Sequence, residues 1–242
     1  MTACAPDARV MVSPRYMAGA GDRFADVLGP LIHLFGWRHE HDPATGNVTM
    51  DSPEGSVFID FRPLHPLGHW VTVTHHEPYW EAVFSRQTPL EAVAAVTQAL
   101  PHLLGDRRHS DRIPITEMPL DRLADLHGWA AGGNGILTSP DHYCRLEHTP
   151  GQEIGWQVEH VYFENAPLAT FTQDTPEVIV RQFFAYLAAP ALVERSFGDV
   201  PLSTRHEASA RVAPVRPAGM DTALVQALDR LLGPPGRPGR RR

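Results

Sequence analysis

A chain of 242 residues that is 43% hydrophobic with a formal charge of −7 can bury a sizeable core in one large or two smaller domains, which excludes general disorder. Its acidic balance disfavours non-specific binding to phosphate backbones. No apolar run approaches the roughly 20 residues of a membrane span. Met1 to Val12 lacks a basic region followed by an apolar core, so a cytoplasmic protein with no membrane partner is expected. All 21 basic residues are arginines, beside 14 histidines. Cys4 and Cys144 make no disulfide framework, and a reducing compartment argues against their pairing.

In chain order, residues 1–11 are expected to be disordered. Val12 to Gly19 is a short extended or turn segment. Asp22 is placed to cap a helix. Phe24, Val27, Leu28, Leu31, Ile32 and Phe35 recur at helical spacing. Gly29-Pro30 predicts a start or kink there, and Gly36 a C-cap. Extended segments follow at 37–41, 47–51, 56–62, 69–75 and 79–85, parted by turns such as Asp42 to Gly46 and Ser52 to Gly55. Thr88-Pro89-Leu90-Glu91 then reads as a capped helix start with a capping box. Val93, Val96, Leu100 and Leu103 form that helix's buried face.

The polar run 106–114 is the predicted linker. After it the order repeats. Leu120 to Leu126 is a helix ending at Gly128-Trp129, as the first ended at Gly36-Trp37. Gly132 to Gly135 makes a hairpin turn. Ser52 and Ser139, Phe84 and Phe171, and Thr88 and Thr175 are each 87 positions apart. Trp70 and Trp156 are matched at 86. One module is therefore repeated.

The expected fold is α+β: two tandem repeats, each helix, four-stranded antiparallel sheet, helix, packed as a pseudo-twofold pair. Repeat 1 spans 12–105 and repeat 2 spans 115–198. An extension, 199–233, carries an amphipathic helix over Met220 to Leu232, and 234–242 is a basic disordered tail.

Chemistry is sparse. His39 and His41 share a strand face by the period of two, and His75 and His76 end another strand, with His65 and His69 flanking the loop before it. These are the only candidate metal ligands, and no HExxH or cysteine-pair spacing accompanies them. There is no nucleophile elbow and no phosphate loop, and Cys144 lacks an activating environment. No cofactor and no catalytic residue is assigned. The matched aromatics Trp37, Trp70, Trp129 and Trp156 are either core or a gripping surface, and with Arg240, Arg241 and Arg242 they are the candidate binding residues.

Val12 to Gly19, Gly36-Trp37, Ser52 to Gly55, Trp80 to Phe84 before Thr88-Pro89, and Ser139-Pro140-Asp141-His142 resemble the actinobacterial SPDY domain family, of unassigned function. The resemblance covers roughly residues 10–195 in two copies. It implies a Streptomyces-like source and brings no catalytic residues. At fold level, two such units are similar to the Whirly and purine-rich-element binding proteins, which grip single strands.

The leading expectation is a non-catalytic binding or scaffold module for an unknown protein partner, compatible with an oligomer. Single-stranded nucleic-acid binding is the alternative, and a histidine-rich metal-dependent enzyme the second.

Overall fold

The computed structural model describes residues 5–161 and 167–215. In chain order the elements are β1 (Arg9–Ser13), α1 (Ala25–Phe35), β2 (Arg38–Asp42), β3 (Asn47–Asp51), β4 (Val57–Phe61), β5 (His69–His76), β6 (Tyr79–Ser85), α2 (Leu90–Leu103), α3 (Leu120–Leu126), β7 (Ala130–Ala131), β8 (Ile136–Thr138), β9 (Cys144–His148), β10 (Ile154–His160), β11 (Ala169–Thr172), α4 (Glu177–Ala188), β12 (Val193–Ser196), α5 (Leu202–His206) and β13 (Arg211–Pro214). The class is α+β.

Strands β2 to β11 form one ten-stranded sheet, ordered β2-β3-β4-β5-β6-β11-β10-β9-β8-β7. Each block contributes five strands, not four. The fifth is the edge strand: β2, whose five residues are all exposed, and the two-residue β7. Edge strands bury little, so their hydrophobic alternation is weak. The charged run Arg38-His39-Glu40-His41-Asp42 also blunts the edge against further pairing.

The blocks join where β6 pairs with β11. Phe84 faces Ala169, Val83 faces Thr170, and Ala82 faces Phe171. This register maps onto itself when each residue is exchanged for the one 87 positions away. The helices lie side by side in the order α1, α2, α4, α3. They cover one face of the sheet over a single core. Phe84 and Phe171 meet edge to face at 5.8 Å, with Phe183 of α4 at 5.4 and 5.5 Å.

The turn residues behave as their chemistry requires. Gly36 and Gly128 both adopt φ 71°, the left-handed state that glycine enters without a Cβ penalty. Pro30 lies inside α1, in its second turn, and the helix runs on through it. Ser52 and Ser139 are buried, and each accepts the backbone N–H five residues on, from Val57 at 3.1 Å and Cys144 at 2.9 Å.

Two expected caps are replaced by other bonds. Asp22 makes no cap to α1; its carboxylate pairs with Arg9 at 2.7 Å. Thr88 does not cap α2, whose N-cap position is Pro89. Its hydroxyl donates to the Leu168 carbonyl instead. Thr175 likewise donates to the Glu81 carbonyl at 3.3 Å. Glu91, the expected capping-box partner, takes both terminal nitrogens of Arg195 at 2.7 Å each.

That last pair anchors a second sheet, ordered β12-β1-β13. Residues 9–13 are thus its central strand, not part of a disordered terminus. Strand β1 alternates buried Val10 and Val12 with half-buried neighbours, and these pack with Val193 and Val200. The extension closes this sheet through β13. The predicted linker is mostly exposed but pinned at both ends. Arg108 donates to the Phe35 carbonyl, and Gln182 of α4 bonds to Pro114 and Thr116. The predicted helix over 220–232 and the basic tail lie outside the described residues. No described helix is long and apolar enough to cross a membrane.

Candidate functional site

The candidate binding residues fall in different places. Trp37 and Trp129 are core, at 3% and 4% exposure. Trp129 packs edge to face on Tyr16 and Phe184. Neither ring can stack on a ligand while the protein is folded. Trp70 is half-buried beside Phe24 and Phe61. Trp156 is half-buried and stacks on His148 at 3.8 Å. Arg240, Arg241 and Arg242 lie outside the described residues.

Trp70 and Trp156 are not structural equivalents. Trp156 pairs with Phe171 and His148, the place that Val71 holds against Phe84 and Phe61. Loop lengths cause the slip. Phe61 and Val71 pair across ten positions, His148 and Trp156 across only eight. The next hairpin in block 2 restores the two residues, so the sequence offset returns to 87.

The histidines do not converge. His39 and His41 share a face of β2, at the edge of the sheet. The strand β5 lies three strands away, about 14 Å at the usual spacing. There His75 stacks under Trp80, while His76 meets Phe58 on the other face. No group of three or more His, Cys, Asp or Glu that could hold a metal exists among the described residues.

A buried polar cluster surrounds the second Ser-Pro turn. Asp141 accepts from Ser139 at 2.6 Å, the Tyr143 amide at 3.1 Å and the Tyr16 hydroxyl at 2.9 Å. Burial pushes the Tyr16 phenol and the Cys144 thiol up, so neither is a ready nucleophile. Burial pulls the His160 imidazole down to about 4, with Asp141 opposing. These groups fasten a turn to Tyr16, two residues beyond Pro14.

Two segments match the SPDY family. They are residues 51–103 and 138–193, and the family is described as a domain of unknown function, DUF317. Each match opens at or just before a Ser-Pro turn and runs through three strands and the helix that follows Thr-Pro. The matches omit the first helix of each block. No curated protein and no solved structure matches the chain.

A cavity of about 230 Å³ lies on the helix side, lined by Asp26, Pro30, Leu90, Ala94 and Gln98 among others; the sheet face away from the helices is also open to a ligand. The strand registers place Glu40, Asp51, Asp60, Glu81, Glu147 and Glu159 on it, against Arg38, Arg62 and Arg145. The block-2 half is closed on itself. Arg145 reaches Glu159 at 2.5 Å and Glu147 at 3.8 Å, and Gln157 donates to Glu159.

The block-1 half holds a cavity of about 230 Å³, lined by Asp60, Arg62, His65, His69, Thr72, Thr74, Glu81 and Val83. Arg62, His65 and His69 occupy one end. Asp60 and Thr72 face each other in the middle, and Thr74 and Glu81 face each other at the far end. The imidazoles of His65 and His69 are parallel at 5.0 Å. This site has no counterpart in block 2, where the loop that would supply His65 is two residues shorter and Thr149 stands at the place of Arg62. Sequence reasoning passed over Asp60, Arg62, Thr72, Thr74 and Glu81. Their signal was the polar phase of β4 and β5 beside a loop that is two residues longer in block 1 than in block 2.

Proposed function

We propose that the protein is a non-catalytic binding module of an actinobacterial cytoplasm, in which a duplicated unit is arranged about a pseudo-twofold axis through Val83 and Thr170. The ligand is a protein partner, and it docks on the open face of the ten-stranded sheet at block 1. One observation carries this reading: the helices cover a single face and leave a polar cavity on the other. The duplicated Thr-Pro and Ser-Pro elements are consumed in holding the unit together, which leaves them no part in chemistry.

The alternative, a single-strand binder, draws less support. Trp37 and Trp129 lie in the core, and carboxylates outnumber guanidiniums on the open face, where a phosphate backbone would be repelled.

A pull-down from the native host, with and without nuclease, tests the choice. A protein retained after nuclease, and lost from a Glu81→Gln, Arg62→Gln variant, is the expected result. Retention that vanishes with nuclease would instead support the nucleic-acid reading.

A further inference from the structure

Resting on the reading of the block-1 face as a docking surface, we propose that its cavity takes the C-terminal end of a peptide chain. The α-carboxylate sits at Arg62, His65 and His69, and a basic side chain two or three residues upstream sits between Asp60 and Glu81.

The cavity is bipolar along the strands. Its cationic end holds a guanidinium whose only ion-pair partner among the described residues is Asp60, at 3.2 Å, with both side chains well exposed. Such exposed pairs are readily exchanged for a ligand. The Leu67 amide donates to Nδ1 of His65 at 3.3 Å. In the neutral ring the proton is then on Nε2, a donor for a carboxylate. A planar carboxylate also matches the fork of an arginine.

The other end is acidic. Glu81 has no ion-pair partner among the described residues; its carboxylate takes the Thr74 hydroxyl at 3.4 Å, and the Tyr79 phenol lies against it. From the level of Arg62 to that of Thr74 and Glu81 is four residues of β4, about 13 Å at the rise of an extended strand. Two or three extended peptide residues plus a long basic side chain cover that distance.

A chain end fits better than a continuing chain. The cationic end is walled by the β4–β5 loop, which is fastened by the bonds Arg62 N–H to Trp70, Gly68 N–H to His65 and Arg86 N–H to Gly68. A phosphate group fits worse than a carboxylate, because Asp60 stands beside Arg62 and would repel a dianion.

The probes are acetyl-Arg-Gly-Gly with a free carboxylate, the same peptide as its C-terminal amide, and acetyl-norleucine-Gly-Gly with a free carboxylate. Each is titrated into the full chain by NMR or calorimetry at physiological salt. The free-acid arginine peptide should bind, and each of the other two should bind at least tenfold more weakly. In Arg62→Gln the acid and amide should become equal. In Glu81→Gln the arginine and norleucine peptides should become equal. Both substitutions lie on the exposed face, so unchanged melting temperatures report an intact fold. Absence of binding at millimolar peptide, or discrimination that survives both variants, would overturn the proposal. So would equal loss from Glu159→Gln on the block-2 face. If a pulled-down partner depends on Arg62 and Glu81 while none of the peptides binds, the docking surface stands and the chain-end inference alone fails.

Discussion

The hydroxyl of Thr88 donates to the carbonyl of Leu168, across the junction of the two blocks. The exchanged pair, Thr175 to Glu81, makes the corresponding bond at 3.3 Å. Residues 88 and 175 are 87 positions apart, and so are 81 and 168. Each Thr-Pro element therefore straps its own block to the other. The same exchange relates Ser85, 3.4 Å from Thr88, to Thr172, 3.2 Å from Thr175.

Thr88→Val keeps the shape and removes the donor, while the Leu168 carbonyl keeps the Ser85 backbone N–H at 2.9 Å. The expected loss is about 0.5–1.5 kcal/mol of unfolding free energy, read from urea titration. Thr88→Ser should recover most of it. If Thr88 were a helix cap, Thr88→Asn would serve as well as Thr88→Ser; a strap across the junction predicts that it does not.

The Thr-Pro repeat was legible as sequence, but its work was not. A hydroxyl before Pro-x-Glu is a local capping signal, whereas its acceptor here lies 80 residues away. The helices and central strands were readable because apolar periodicity records burial. Strands β4 to β6 and both Gly-Trp turns emerge at the expected places. Strand β1 was not readable, because its partners β12 and β13 come more than 180 residues later. The site was half readable. Histidines drew attention to β2 and β5, yet which of them meet depends on strand order, and Asp60 or Glu81 looks like any exposed carboxylate.

Arg195 is 2% exposed, and Glu91 supplies its compensating charge. Removing one partner of such a pair leaves a buried charge. Glu91→Gln should therefore cost about 3–5 kcal/mol, with the small sheet loosening from α2. The double replacement Glu91→Leu, Arg195→Met should be far less damaging than the sum of its parts. Chemical denaturation of the three variants checks this.

Gly155 stands at the irregularity in β10 beside β11. A Cβ there would lie 2.7 Å from the Gln173 Cα, a backbone atom that cannot swing away. Gly155→Ala is expected to lose about 1–3 kcal/mol and to shift amide resonances of β10 and β11 in an NMR spectrum.

The fold should weaken in mild acid. The folded His160 imidazole resists protonation until about pH 4, whereas the unfolded chain takes up that proton near 6.5. The unfolded state thus binds more protons between these values, and stability falls as pH drops from 6.5 towards 4. The full effect is roughly 3 kcal/mol. Burial lowers His127 as well, which adds in the same direction. His160→Gln should flatten the pH dependence of the urea midpoint over this window.

In the proposed function, a partner docks on the open face of block 1, at Asp60, Arg62 and Glu81. The most direct measurement is partner retention from nuclease-treated host lysate by the native chain and by the Asp60→Asn, Arg62→Gln, Glu81→Gln variant, with matched melting temperatures. Retention by the native chain and at least tenfold less of the same protein on the variant is the predicted result. Equal retention by both would contradict it.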